Sequence, residues 1–173
     1  MKGQRALLLI ALLIVVAAGS WLFFSRRGPT GGDHLVVYYT KVDGTTLGRW
    51  SVSLRPPANG ESGAEHLHNT ALYAAVQAVA GPPADVQAIR FPAGTHVVSA
   101  TVNGSVATVD LSNEVTTQTG GSFSENGEFK GLVFTLTGIP TIDAVQVTVA
   151  GRKLETLPGG HLELDTPLRR SDW

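Results

Sequence analysis

The chain has 173 residues, with 13 Lys and Arg against 14 Asp and Glu, 20 Gly, 9 Pro and no Cys. That length suits one domain, and the absence of Cys excludes disulfides, thiolate metal sites, thiol nucleophiles and an N-terminal lipid-modified cysteine. The near-neutral total hides an asymmetry: Lys2, Arg5, Arg26 and Arg27 stand in the first 27 residues with no acid, so the remainder carries nine basic and 14 acidic side chains. An acidic body argues against nucleic acid as a partner, because phosphate binding needs clustered Lys and Arg.

Residues Ala6 to Phe24 form a 19-residue stretch without a charge. At about 1.5 Å per residue such a helix reaches across a hydrocarbon core of about 30 Å. Basic residues bracket it, and Trp21, Phe23 and Phe24 crowd one end like an interfacial belt. Residues 1–27 are therefore read as an uncleaved membrane anchor. A cleaved signal peptide is the alternative: Ala17-Ala18-Gly19 offers small residues for cleavage, although Trp21-Leu22-Phe23-Phe24 would then open the mature chain. Either reading sends the body out of the cytoplasm. The expected organisation is anchor 1–27, Gly/Pro linker 28–32 and a single domain over 33–173.

In the body, His34–Thr40 is β-branched and aromatic and reads as a strand, and Arg49 to Leu54 alternates as a second. Ser62-Gly63-Ala64-Glu65 fits a capping box, in which Ser and Glu satisfy each other's free amides at a helix start. The helix that follows places Leu72, Val76 and Val79 on one face with Ala71, Ala75 and Ala78 beside them, and Gly81-Pro82-Pro83 ends it. Asn103-Gly104 is the pair favoured in a type I′ turn. With it as the loop, Ala100 faces Ala107 and Val98 faces Val109. The apolar face is then Val98, Ala100, Val102, Ala107, Val109 and Leu111, and the polar face holds Val97, Ser99, Thr101, Val106, Thr108 and Asp110.

A second helix is expected from about Ser124 to Thr137, with Phe129, Leu132, Val133 and Leu136 at i, i+3, i+4, i+7 and a capping box from Ser122 to Glu125. Gly127 and Gly131 work against it by about 1 kcal/mol each relative to Ala. Val145, Val147 and Val149 give the last main strand, Ala150-Gly151 turns into a short Arg152–Leu154 return, and Leu162, Leu164 and Leu168 tie down an irregular tail. The order β-β-α-β-β-α-β predicts an α+β domain: a single mixed or antiparallel sheet, two helices on one of its faces and the other face wet.

These segments, VVYYTKVDG, AVQAVAGPP, FPAGTHVVSATVNGSVATVDLSNE, GLVFTLTGIPTIDAVQVTVAGRKLE and HLELDTPLRRSDW, resemble the GerMN domain of bacterial sporulation and germination proteins over residues 33–173. The resemblance implies a membrane-tethered, extracytoplasmic domain related to the ring-building folds of secretion and sporulation complexes, with envelope proteins or peptidoglycan as partners and self-association among its modes. Members attach by a lipid or a helix; with no Cys here, the anchor is the helix itself, residues 6–24. The present chain carries one copy of the domain rather than two.

Catalytic chemistry finds little support. No G-x-S-x-G occurs, and Gly120-Gly121-Ser122-Phe123 lacks the strand-to-helix elbow that positions a nucleophile. In Glu65-His66-Leu67-His68 the two histidines are two residues apart and diverge on a helix, whereas a metal pair needs i, i+4 spacing. His34, His96 and His161 are scattered. Carboxylate pairs for glycoside hydrolysis could be Asp110 with Glu114 or Glu125 with Glu128. The plainer readings are Asp110 bonding loop amides and Glu125 capping a helix, both at the surface. Asn103-Gly104-Ser105 fits the glycosylation pattern but is more simply a hairpin turn. Tyr38, Tyr39, Trp50 and Trp173 are offered as an interaction patch, with core packing the alternative for the tyrosines, and an open edge strand offers pairing to a partner. No catalytic, cofactor-binding or metal-binding residue is assigned and no cofactor is expected. The expected role is a non-enzymatic assembly module, with a peptidoglycan hydrolase or its accessory domain as the alternative.

Overall fold

The computed structural model describes residues 34–117 and 121–173. The Ala6–Phe24 segment, the linker and Gly120 lie outside the described residues. Among the described residues no helix is long and apolar enough to cross a membrane. The elements are β1 (His34–Thr40), β2 (Leu47–Ser53), α1 (Gly63–Ala80), β3 (Val97–Asn103), β4 (Val106–Leu111), a 3-10 turn (Asn113–Thr117), α2 (Gly121–Leu136), β5 (Ala144–Val149) and a closing 3-10 turn (Arg170–Asp172). Their order matches the expected one.

The strands form two sheets rather than the single sheet expected. β1 and β2 make an antiparallel pair, and β3, β4 and β5 make a mixed sheet with β4 at its centre, antiparallel to β3 and parallel to β5. What separates the sheets is the chemistry of the outer edge of β1. Tyr38 N donates to Thr135 Oγ1 of α2 at 2.9 Å, Ile89 N donates to Thr40 O at 2.9 Å, and Ala88 bridges to Lys41. A helix and a loop thus occupy the backbone groups that another strand would have used, which also protects the edge from unwanted pairing. The outer edge of β5 is closed in the same way, by Leu168 at Val145 and by Arg152 at Val149. The expected return at Arg152 and the tail anchored through Leu162, Leu164 and Leu168 are both present, the last two buried.

α1 begins as predicted: Ser62 Oγ accepts from Glu65 N at 3.2 Å and Glu65 Oε2 accepts from Ser62 N at 2.8 Å. Its buried face differs. Ala71, Ala74, Ala75, Ala78 and Val79 enter the core, while Leu72, Tyr73 and Val76 stay 37%, 37% and 40% exposed. Small side chains let the helix axis approach its neighbours, and α1 packs chiefly against β3.

The hairpin is shifted by two residues from the expected register. Asn103 pairs with Val106, so Gly104 and Ser105 form the loop and Ala100 faces Val109. Gly104 has φ +58° and Ser105 does not have positive φ, so the loop has the type II′ pattern instead of type I′. A shift of two keeps Ala100, Val102, Ala107, Val109 and Leu111 facing inward, as expected. Val97 and Val98 change sides. Val97 pairs with Leu111 and Ser99 with Asp110, leaving Val98 as an extra residue in a bulge and 56% exposed, while Val97 packs on the core.

α2 starts at Gly121 rather than near Ser124, and Phe129, Leu132, Val133 and Leu136 are all buried. Its two interior glycines follow from its contacts. A Cβ on Gly131 would lie 3.1 Å from Tyr38 O and 3.3 Å from Tyr39 Cα, and one on Gly127 would crowd Ile89. The propensity lost at these positions permits helix backbone to lie against strand backbone.

Candidate functional site

The carboxylates singled out as a catalytic pair are occupied with structural bonds or enclosed. Asp110 Oδ1 accepts from Thr148 Oγ1 at 2.7 Å and from Gly151 N at 2.8 Å, tying β4 to β5 and to the turn beyond it. This is the loop-bonding role expected of it. Glu114 is exposed, its carboxyl held below the ordinary range chiefly by a hydrogen bond from the Ser112 side chain.

Glu125 overturns its expected role. It is fully buried, and among the described residues its bonds run to the tail and not to the start of α2: its Oε2 accepts from His161 N at 2.8 Å and Leu162 N at 3.2 Å. Gly160 leaves the space that the carboxylate fills, since a Cβ there would overlap Oε1. The reason is the tail, which returns to α2 from 36 residues further along the chain. Glu128, whose burial nothing in the sequence suggests, is 4% exposed and borders a void of about 10 Å³ beside Tyr38 and Ile89. That is room for about one water at most and not for a sugar.

The histidines diverge. His66 Nδ1 faces Glu61 Oε2 at 3.4 Å, His68 Nδ1 faces Ala64 O at 2.6 Å and His96 Nδ1 faces Gly94 O at 3.0 Å. No group of three or more metal-ligating side chains comes together among the described residues. Ser122 lies in the first turn of α2.

Nor do the four aromatic residues make one patch. Tyr39 and Trp50 pack at 5.7 Å between centroids, on the face that also carries Leu35 and Val37. Tyr38 lies on the opposite face, edge-on to Phe134 at 6.1 Å, with the Arg170 guanidinium 4.9 Å over Phe134. Arg170 also donates to Phe134 O and Thr137 Oγ1, a cation at the carbonyl end of α2. Trp173 Nε1 donates to Asn126 Oδ1 at 3.1 Å. These rings attach hairpin and tail to the core.

A concave site forms where no local motif marks it, between the end of β2 and the first half of α1. A cleft of about 350 Å³ is lined by Leu54, Arg55, His66, Asn69, Thr70 and Tyr73 among others. A second, more open hollow of about 640 Å³ shares Arg55 and Asn69. At their junction stands Glu61. It accepts from Ala58 N at 2.7 Å, from Asn69 Nδ2 at 2.7 Å and from Arg55 Nη2 at 3.0 and 3.1 Å. These donors, the Ala58 amide first, hold its carboxyl down to about 2. The exposed row Leu72, Tyr73 and Val76 continues from the cleft along α1, and Tyr73 belongs to both. The one signal in the sequence was on α1 itself: Ala71, Ala74, Ala75 and Ala78 already supply an i, i+3, i+4, i+7 face, so the larger apolar residues had somewhere else to point.

Against known proteins, residues 36–155 match the family Germane, described as sporulation and spore germination. Three solved structures share the fold. The tandem GerMN domains of the sporulation protein GerM from Bacillus subtilis are 23% identical with a TM-score of 0.60, over 80% of this chain and 46% of that one. The first GerMN domain of the same protein is 21% identical with a TM-score of 0.56, over 80% and 98%. A candidate lipoprotein from Clostridium perfringens is 20% identical with a TM-score of 0.56, over 82% and 90%. The chain thus spans about half the length of the tandem protein. No curated protein matches it. With the capped α1, the bulged β3–β4 hairpin and the parallel β4–α2–β5 unit all inside the matched span, this chain belongs to the Germane family of sporulation and spore germination domains.

Proposed function

We propose that this protein is a membrane-anchored, extracytoplasmic module of a bacterial envelope that works by binding, not by catalysis. Its partners are envelope proteins or peptidoglycan, and residues 6–24 hold it to the membrane. The observation that carries this reading is the outward face of α1. Leu72, Tyr73 and Val76 form a contiguous apolar row beside the cleft of Arg55, His66, Asn69 and Thr70, on a helix whose core face is made by Ala71, Ala74, Ala75, Ala78 and Val79. Apolar rows rimmed by polar residues mark interaction sites. The engagement of Asp110, the burial of Glu125 and the small void at Glu128 support binding over hydrolysis. The description of the Clostridium perfringens relative as a candidate lipoprotein supports membrane attachment, here with a helix in place of the lipid.

The test is capture from gently solubilised membranes with the full chain as bait. Wild type is expected to retain envelope proteins that the Leu72→Asp/Val76→Asp double variant loses while keeping its far-UV circular dichroism. Equal capture by both, or release of soluble muropeptides from purified wall by the wild-type chain, would contradict the reading.

A further inference from the structure

The cleft between β2 and α1 is organised around a carboxylate whose charge is already spent. Glu61 is 6% exposed at its side chain and takes both of its oxygens to Arg55. Arg55, Asn69 and the loop amide of Ala58 are thereby held in place before anything binds, which lowers the ordering cost of a ligand. Several groups on the cleft wall keep hydrogen-bonding capacity with no partner among the described residues: Asn69 Oδ1, the Thr70 and Tyr73 hydroxyls, and the second ring nitrogen of His66. The Tyr73 ring and Leu54 supply the apolar surface. A volume of about 350 Å³ falls within the range of small-ligand sites, about 300–1,000 Å³.

The charge balance decides what fits. A phosphate or an acidic peptide would seek an unpaired cation, and the cation at this cleft is already neutralised by Glu61. Uncharged donors and acceptors around one half-exposed aromatic ring suit a ligand with many hydroxyls and an apolar face. We infer that the cleft binds a neutral pyranose unit of an envelope glycan, with one sugar face on Tyr73 and its hydroxyls on Asn69, Thr70 and His66. The inference rests on the extracytoplasmic binding role proposed above and names the ligand class for part of that surface.

Titration of the full chain in detergent micelles with a neutral β-1,4-linked N-acetylglucosamine tetramer, followed by amide NMR, tests it. Shifts are expected at residues 53–55 and 66–73, with affinity unchanged between about 50 and about 500 mM NaCl, since a neutral ligand feels little screening. Tyr73→Ala is expected to weaken binding by about ten-fold or more through lost ring contact, Tyr73→Phe by less. Val98→Ser, on the hairpin bulge, leaves it unchanged. The inference is overturned if the tetramer shifts nothing at the cleft, if Tyr73→Ala binds as well as wild type, or if a poly-glutamate peptide displaces the sugar in a salt-sensitive way. If the sugar fails to bind while Leu72 and Val76 still govern capture of envelope proteins, the glycan inference falls and the binding role stands.

Discussion

Helix α1 meets its neighbours through Ala71, Ala74, Ala75, Ala78 and Val79 and leaves Leu72, Tyr73 and Val76 facing out, whereas α2 buries Phe129, Leu132, Val133 and Leu136 together with Glu125 and Glu128. The two helices have similar apolar content and opposite uses for it. α2 is enclosed by the edge of β1, the Ile89 loop and the returning tail, so even its carboxylates are drawn inside, where tail amides donate to one oxygen of Glu125. α1 is covered on one side only. Large side chains on a helix therefore serve the core or the surface according to what the rest of the chain brings to them, and the row left uncovered on α1 is where binding is proposed.

The largest effects should separate the helices most cleanly. Leu132→Ala removes a fully buried side chain from α2 and is expected to cost about 2–5 kcal/mol by urea unfolding, while Leu72→Ala on α1 stays within about 0.5 kcal/mol. A similar loss at both would erase the distinction. Next come the glycines. Gly131→Ala gains about 1 kcal/mol of helix propensity but drives a Cβ against the backbone of β1, for a net loss of about 1–3 kcal/mol. Gly63→Ala at the start of α1 meets nothing within 4 Å and should stabilise by up to about 1 kcal/mol. Asp110→Ala, away from either helix, should cost about 1–3 kcal/mol by freeing Thr148 and the Gly151 amide.

The smallest effect is pH-dependent and centres on Glu61, ahead of α1. Glu61 lies at about 2 in the folded protein against an ordinary 4.5, so its contribution is complete above the ordinary value and drains away as pH falls toward 2. Asp43, held at about 2 by Thr46 first and then Thr45, and Glu65, lowered by Ser62, act in the same direction. Glu61→Gln should flatten, without abolishing, the loss of stability between about pH 5 and pH 2 seen by thermal melting. An unchanged slope would mean that Glu61 does not organise the cleft.

The strands, the α1 cap, the end of α1 at Gly81 and the membership of the family were all readable from the sequence, because each rests on residues close together in the chain. What escaped rests on residues far apart. The split into two sheets depends on Thr135 and Ile89 reaching β1 across 97 and about 50 residues. Glu125 looked like a cap because its true partners, His161 and Leu162, lie in an irregular tail with no periodic signal. Val98 kept perfect alternation on paper and lost it to a single bulge. The cleft was hidden for the same reason: Arg55 and Asn69 are joined only through Glu61, which precedes a helix cap that accounted for its neighbourhood.

The central claim, that the outward face of α1 is the working surface, is tested most directly by photo-cross-linking in intact cells. A photoreactive amino acid is placed at Leu72, at Val76 or at the more exposed Val98 of the full chain. Discrete adducts with envelope components are predicted from positions 72 and 76 and none from 98. Adducts from 98 alone, or from all three alike, would contradict the account.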